Sequence, residues 1–401
     1  KYSELSKKLT TTLNKKEKKN NGIYFTPPST INKNIKLLEP FIKNNTNVLE
    51  PSCGSCEYIL KLNNINLNNN IIGIESNKVI FESIKQYRSN NITLINDNYL
   101  THEFDTKFDL IIGNPPYFVM KKEEVEQSYY NYFDGRPNIF ILFIIKSLQL
   151  LNNEGIISFV LPKNFLNCLY YDKTRKHIIK NYNILNIIEC DDKYIETQQN
   201  TIILIIQNKK PTNNSILYNI IISEYTIFGT KDNIKNLKTL YNNSKTLFDL
   251  DFKVNVGNIV WNQCKKNLTN DRTQTRLIYS SDIINNELSI KKYLNKEKKN
   301  YIKKEGNNMP LLVINRGYGV GNYNFNYCII NENDNIDFLV ENHLICIKYS
   351  KTLSNENLIK RYKQIIESFK NIKTIEFIKI YFGNNAMNTN ELYKILPIYD
   401  I

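Results

Sequence analysis

Asn114-Pro115-Pro116-Tyr117 follows the apolar run Leu110-Ile111-Ile112 and Gly113. Two consecutive prolines can neither donate to a strand ladder nor continue into a helix, so the segment does not serve secondary structure. It sets an amide, carbonyls on a stiffened backbone and a phenol ring at the end of a strand. Such groups accept hydrogen bonds and stack.

The ends of three earlier apolar runs carry polar residues of a related kind. Val48-Leu49 is followed by Glu50-Pro51-Ser52-Cys53-Gly54-Ser55-Cys56, Ile71 to Ile74 by Glu75, and Thr93 to Ile95 by Asn96-Asp97-Asn98. In an open α/β sheet a ligand sits at the carboxyl ends of the strands. A tight turn after the first strand admits a ligand to the backbone, and an acid ending the second can accept both hydroxyls of a ribose. An Asp one strand further can accept from the exocyclic amine of adenine. The site is nucleoside-shaped, and the absence of G-x-G-x-x-G favours a cofactor without phosphates over NAD.

Those runs, continued by Ile156 to Leu161, Ile184 to Ile188 and Thr201 to Gln207, are separated by helix-length connections. The pattern predicts a mainly parallel, doubly wound sheet with helices on both faces. After Pro211 the rhythm changes to Asn-rich turns and short β-prone segments, which predicts a second domain of mixed α and β character. The expected organisation is therefore a flexible basic arm over 1–20, a catalytic domain over 21–210 and a second domain over 211–401. With 401 residues the chain can bury a large core. Its formal charge is +14, of which residues 211–401 hold 26 basic against 18 acidic, a net of +8. Together with 27 tyrosines this suits a phosphate-rich partner whose bases can be stacked upon. The seven cysteines form no disulfide or zinc framework, and His102, His177 and His343 are too far apart for a local metal cluster. No metal and a reducing, cytoplasmic compartment are expected. The longest apolar run, Ile139 to Ile145, is far short of a membrane span, and no signal peptide is visible.

Taken in order, these segments resemble the γ-class, TaqI-like N6-adenine DNA methyltransferases, which use S-adenosylmethionine. Gly22-Ile23-Tyr24-Phe25-Thr26-Pro27-Pro28 is similar to that family's N-terminal cofactor motif and "LEPSCGSCEYI" to its first-strand motif. Glu75 and Asp97 match its ribose and adenine ligands, and "NPPY" its catalytic motif. "NIFILFIIKSL" and "GIISFVLPKNFL" match the next two, and "DDKYIETQQNTIILII" the segment that presents an aromatic ring to the target base. The resemblance covers about residues 20–210. It implies a Rossmann-like class I methyltransferase domain followed by a C-terminal α+β target-recognition domain. One departure is Cys56, which stands where related sequences commonly carry a second small Gly, so the backbone there is expected to approach the methionine part of the cofactor less closely. Cys53-Gly54-Ser55-Cys56 also reads as a C-x-x-C redox motif, but Glu50-Pro51 before it and every later motif agree with a cofactor site.

The resemblance implies a chemistry for the Asn-Pro-Pro-Tyr segment. The amine of adenine is a poor nucleophile because its lone pair is delocalised into the ring. The Asn114 side-chain oxygen and the Pro115 carbonyl are implied to accept its two N–H bonds and localise the lone pair toward the methyl group. Pro115 and Pro116 hold the two acceptors in place. The base must be flipped out of the duplex at a cost of a few kcal/mol, which stacking worth about 1–3 kcal/mol per base partly offsets. Tyr117 is expected on one face of it and Tyr194 on the other. Phe118 reads as core or cofactor wall. The implied cofactor residues are Tyr24, Thr26, Glu50, Pro51, Cys53, Gly54, Glu75, Asp97, Asn98, Asn114, Pro116 and Phe143. Direct transfer to an amine needs no cysteine nucleophile.

Sequence readout is assigned to the C-terminal region. There Trp261, Asn262, Gln263, Lys265, Lys266 and Arg272 combine amide base readers with phosphate contacts. In "LLVINRGYGVGNYNFNY" glycines 317, 319 and 321 follow a strand, and a hairpin presenting Arg316 to double-stranded DNA is expected rather than a phosphate cradle. Lys291 to Lys304 reads equally as a phosphate track or a solvated loop. The same fold with an Asn-Pro-Pro-Tyr segment also serves enzymes that methylate RNA adenines or protein glutamines; a basic region of some 190 residues after the catalytic domain counts against glutamine. The chain is expected to be a monomer, alone or with a cognate restriction endonuclease, and to carry no nuclease of its own.

Overall fold

The computed structural model describes residues 2–43, 45–65, 68–197, 199–293, 297–315, 326–331, 337–382 and 387–399. The chain divides into two compact units, Lys1–Lys235 and Asn236–Ile401, so the first unit extends beyond the expected boundary at residue 210.

The first unit opens with α1 (Glu4–Thr12), α2 (Lys15–Asn21) and α3 (Pro28–Leu38). Alternating elements follow: β1 (Asn47–Glu50), α4 (Glu57–Ile65), β2 (Asn70–Ile74), α5 (Lys78–Ile84), β3 (Ile92–Ile95) and β4 (Phe108–Gly113). Next come α6 (Ile139–Gln149), β5 (Leu151–Pro162), α7 (Asp172–Asn181), β6 (Asn183–Cys190), β7 (Thr201–Gln207), and the hairpin of β8 (Asn219–Ile222) and β9 (Tyr225–Phe228). Seven strands form one sheet in the order β3-β2-β1-β4-β5-β7-β6. The first five in space are parallel, and β7 runs antiparallel to both β5 and β6. All seven strands read from the sequence are present, in the class I methyltransferase arrangement.

Each strand feeds two cores, because successive side chains point to opposite faces. Leu49, Ile111, Ile157 and Leu204 join the core against α6 and α7. Val48, Leu110, Ile112, Ile156 and Ile203 join the one against α3, α4 and α5. A sheet covered on both faces explains why these strands read as continuous apolar runs. The run Ile139 to Ile145 is a helix, buried on every side from Ile139 to Ile145, as a helix without a polar face must be.

Residues 1–20, expected as a flexible basic arm, instead form α1 and α2 from residue 4 onward. Ser3 caps α1 and Asn14 caps α2 with side-chain oxygens. Leu9 and Leu13 pack with Ile80. The lysines that suggested a solvated arm lie largely on the outer faces of an amphipathic pair, whose few apolar residues were too sparse to read as a helix.

Arg175 of α7 is fully buried. Its guanidinium donates to the carbonyls of Thr226 (2.5 Å), Phe165 (2.8 Å) and Cys168 (2.9 Å), tying α7 to β9 and to the loop after β5. Phe165 in turn packs edge-on against Phe140, and Phe140 against Tyr117.

The second unit holds a four-stranded antiparallel sheet ordered Phe252–Val256, Leu344–Tyr349, Leu311–Asn315 and Tyr327–Ile330. A second sheet is ordered Leu268–Thr269, Tyr301–Ile302, Thr275–Ile278 and Phe338–Val340. Helices Asn355–Lys370, Ile372–Tyr381 and Thr389–Lys394 follow. This is the mixed α and β character read from the sequence. Leu311–Asn315 and Tyr327–Ile330 pair antiparallel, but Arg316, glycines 317, 319 and 321, Tyr323 and Phe325 lie outside the described residues. No helix among the described residues is long and apolar enough to cross a membrane.

Replacing Arg175 with Met should leave three buried carbonyls without their donor. The expected cost is about 3–5 kcal/mol, read as a lower midpoint in denaturant unfolding; an unchanged midpoint contradicts this role.

Candidate active site

The carboxyl ends of β1 to β4 open into a cavity of about 500 Å³. Eight of the expected cofactor residues line it: Tyr24, Pro51, Glu75, Asp97, Asn98, Asn114, Pro116 and Phe143. They arrive from every strand end that the sequence marked, with α6 supplying Phe143.

Glu75 is buried, and its carboxylate accepts N–H bonds from Gly54 (3.0 Å) and Asn77 (2.8 Å). Burial lifts its carboxyl from the usual 4.5 to about 7, over the opposing N–H bonds from Asn77, Gly54 and Ser76. Asp97 is exposed; it accepts from His102 Nδ1 and from the Asn98 N–H, each at 2.7 Å. Its carboxyl lies below the usual range, chiefly because of the bond with His102. Asp97 therefore carries its charge at neutral pH and Glu75 sits near its midpoint. His102 entered the sequence reading only as one of three scattered histidines, since nothing in the spacing marks it as the partner of Asp97.

Thr26, Glu50, Cys53 and Gly54, also expected at the cofactor, do not line the cavity. Thr26, Glu50 and Cys53 are buried behind its wall, and Gly54 acts through the N–H it gives to Glu75. Glu50 is 3% exposed with Oε2 unpartnered, and burial, with Cys56 and Glu75 nearby, raises its carboxyl well above the ordinary range. Cys56 takes φ +62°, a conformation that favours Gly. The Cys56 N–H donates to the carbonyl of Cys53 at 2.7 Å and the Cys56 carbonyl accepts from the Leu60 N–H at 2.9 Å; the thiol is buried at the entry of α4.

Asn21, Asn77 and Lys78 on the wall escaped the sequence reading, and Gly22, Ile23 and Ile139 entered it only as members of motifs. Phe118, expected as core or cofactor wall, lines the cavity and also packs against the core. Gly22 ends α2 in the left-handed conformation. A Cβ there would stand 2.5 Å from the backbone nitrogen of Tyr117, so only glycine lets α2 approach the loop after β4. A Gly closing a Lys- and Asn-rich helix was the available signal. Asn77 caps α5, accepting from the N–H groups of Val79 (2.9 Å) and Ile80 (3.1 Å).

The loop after β4 is held from three sides. Ser52 donates to the Asn114 carbonyl at 3.1 Å, and the Asn114 amide donates to the Tyr24 carbonyl at 3.3 Å. The Tyr117 hydroxyl reaches the Asn114 side-chain oxygen and the Val160 carbonyl, the latter at 2.7 Å. Pro115 is buried. The Tyr117 ring meets Phe140 edge-on, centroids 6.0 Å apart. Its phenol is pushed well up, first by burial and then by Tyr194 and Tyr58. Tyr194 is itself 7% exposed, its hydroxyl without a hydrogen-bond partner, so in this conformation it lies folded in.

The donor set fits a nucleoside with an apolar extension. Two carboxylates end adjacent strands, while Phe118, Ile139 and Phe143 form an apolar wall. Lys78 is the one basic residue on the lining, which leaves little to neutralise phosphates. Among the described residues no cluster of His, Cys, Asp and Glu is placed to hold a metal ion.

In the second unit Trp261 is half-buried in a short turn, and Asn262, Gln263, Lys266 and Arg272 are exposed. Lys265 is exposed too but ion-paired with Glu297 at 2.5 Å. The basic run is partly pinned rather than loose: the Lys291 N–H and the Tyr293 hydroxyl bond to buried Asp282 at 3.0 and 2.6 Å. Lys298, also within this run, lies over Tyr279 at 4.0 Å and Tyr293 at 4.3 Å.

Residues 7–195 match the family described as Eco57I restriction-modification methylase. Along its length the chain is 26% identical to type II methyltransferase M.CvrRI of Paramecium bursaria Chlorella virus XZ-6E, covering 96% of each. It is 27% identical to modification methylase CviBIII of Paramecium bursaria Chlorella virus NC1A, covering 99% of each. Among solved structures, the type IIG restriction endonuclease BpuSI aligns with 99% of this chain and 60% of its own, at 9% identity and a TM-score of 0.46.

Because the folded protein holds the Glu75 proton more tightly than the unfolded chain, Glu75 lowers stability as pH rises from 4.5 to about 7. A diol hydroxyl donating to this carboxylate would lower its pKa again. S-adenosylhomocysteine binding should therefore release protons just below pH 7 and tighten with rising pH until about 7. Calorimetry in buffers of different ionisation enthalpy measures this; buffer-independent heats contradict it.

Proposed function

We propose that this chain is a γ-class, site-specific DNA methyltransferase that moves a methyl group from S-adenosylmethionine directly to N6 of an adenine flipped out of duplex DNA. The observation that carries the reading is Asn114: it stands on the cavity wall, on a proline-stiffened backbone, with its amide already oriented by Tyr24 and Tyr117.

When bound, S-adenosylmethionine supplies an electrophilic methyl group. Glu75 is the acceptor for the ribose hydroxyls, Asp97 for the adenine amine of the cofactor, and Phe143 with Phe118 the apolar wall. At the target, the Asn114 oxygen and the Pro115 carbonyl accept the two N–H bonds of the amine, drawing it toward the pyramidal geometry that attack requires. An amide oxygen has two lone pairs, so Asn114 can keep the Tyr117 hydroxyl on one and take the amine on the other. The Tyr117 hydroxyl has one proton and two acceptors in reach, which lets it turn to Val160 if the amine competes. Stacking by Tyr117 and Tyr194 requires the base to enter beside rings that are now largely folded in, so base entry is accompanied by local rearrangement of the Tyr194 segment. The exposed Asn262, Gln263, Lys266 and Arg272 of the second unit are the candidate DNA contacts. Lys265 joins them only by leaving Glu297.

Expression in a methylation-deficient host with long-read sequencing tests the reading: N6-methyladenine at one sequence motif is expected. Methylation of RNA adenine or protein glutamine with unmodified DNA would replace the substrate, leaving the fold reading intact. Asn114→Ala should cut turnover by about 10²–10³-fold or more with S-adenosylhomocysteine affinity preserved, and wild-type turnover would remove Asn114 from the chemistry. Tyr117→Phe keeps the ring but frees the amide; turnover about tenfold lower is expected, measured under single-turnover conditions.

A further inference from the structure

Among the described residues Lys18 is the only buried lysine. Its ammonium donates to the carbonyl of Thr10 at 2.5 Å and to Glu196 Oε1 at 2.6 Å, across 178 residues of sequence. The Lys18 side chain is 5% exposed and that of Glu196 29%. Exposed ion pairs contribute little, whereas removing one partner of a buried pair leaves a costly unpaired charge. This pair can therefore hold chain segments in place as a surface pair cannot.

The segments it joins are not arbitrary. Glu196 stands two residues after Tyr194. Lys18 is in α2, whose seven residues and cap reach three parts of the site. Glu17 accepts from the Asn77 amide at 2.9 Å, on the ribose side of the cavity. Asn21 and Gly22 line that cavity, and Gly22 lies against the Tyr117 backbone. The same Tyr194 segment is anchored at its start by further contacts from the N-terminal region: Ser29 and Thr30 donate to Asp192 at 2.6 and 2.7 Å, and Tyr2 donates to the Lys193 carbonyl at 3.3 Å.

We infer that Lys18 is a positioning residue: its ion pair with Glu196 sets the Tyr194 segment in register with the catalytic loop, so that α2 links the donor cavity to the target-base side of the site. The inference rests on the methyltransferase reading. It adds a contact that touches neither cofactor nor base yet governs how the base is held.

Lys18→Met, Glu196→Gln and the double variant test it, on a duplex bearing the sequence motif found by sequencing. Each single variant should lower the single-turnover rate about tenfold, with S-adenosylhomocysteine affinity within about twofold. Each should also weaken the fluorescence of 2-aminopurine at the target position. The double variant should be no worse than Lys18→Met alone, because the two residues act as one contact. Wild-type rates and fluorescence in both single variants overturn the inference. So does a loss of cofactor affinity in step with the rate, or additive effects in the double variant. If Lys18→Met does not fold, Glu196→Gln, changed on the more exposed side, decides alone. A wild-type protein that leaves DNA adenines unmethylated sinks the methyltransferase reading, whereas an active wild type with unaffected variants sinks only the role of Lys18.

Discussion

The backbone after β4 has two successive residues that cannot donate a hydrogen bond, and the site is organised around that shortage. A ladder cannot continue through Pro115-Pro116, so the loop must be held by side chains and by its own acceptors. Ser52, Tyr24 and Tyr117 do this. What would be a defect inside a sheet becomes an acceptor array at its edge: fixed oxygens that the fold leaves available. The cavity beside it is built on the same plan, since Glu75 and Asp97 also stand just past the point where their strands stop.

The first unit protects this arrangement by packing on both faces of the sheet. Aromatic rings carry the support outward from Tyr117 through Phe140 to Phe165, whose carbonyl binds Arg175. A buried guanidinium far along the chain is thus two ring contacts from the loop after β4. Gly22 supplies the opposite wall by having no side chain.

Legibility in the sequence followed the physics of each feature. All seven strands were readable, because strands buried on both faces are apolar throughout and their ends are marked by turn residues. Glu75, Asp97 and Asn114, which the structure brings onto one cavity wall, were readable for the same reason. Thr26, Glu50 and Cys53 belong to the right motifs but face away from the cavity, because motif membership does not say toward which side a side chain turns. The helices over residues 4–21 were hidden by their lysines, and with them Gly22, whose part depends on a contact 95 residues away at Tyr117. The pairing of Asp97 with His102 and of Lys265 with Glu297 could not be read from spacing. In the second unit the change of rhythm was visible, while Lys298 amid Tyr279 and Tyr293 emerges only from tertiary placement.

Because β7 runs against its neighbours, the stretch between β6 and β7 leaves and re-enters the sheet at the end where the catalytic loop emerges, with Cys190 opposite Thr201 and Pro162 also opposite Thr201. One foot of that span stands on the edge strand β6 and the other on the interior strand β7. An engineer could therefore change its length between Asp191 and Asn200 without shifting the ladder below, provided Asp192 and Glu196 keep their bonds to Ser29, Thr30 and Lys18, a constraint that a free-ended flap would not impose.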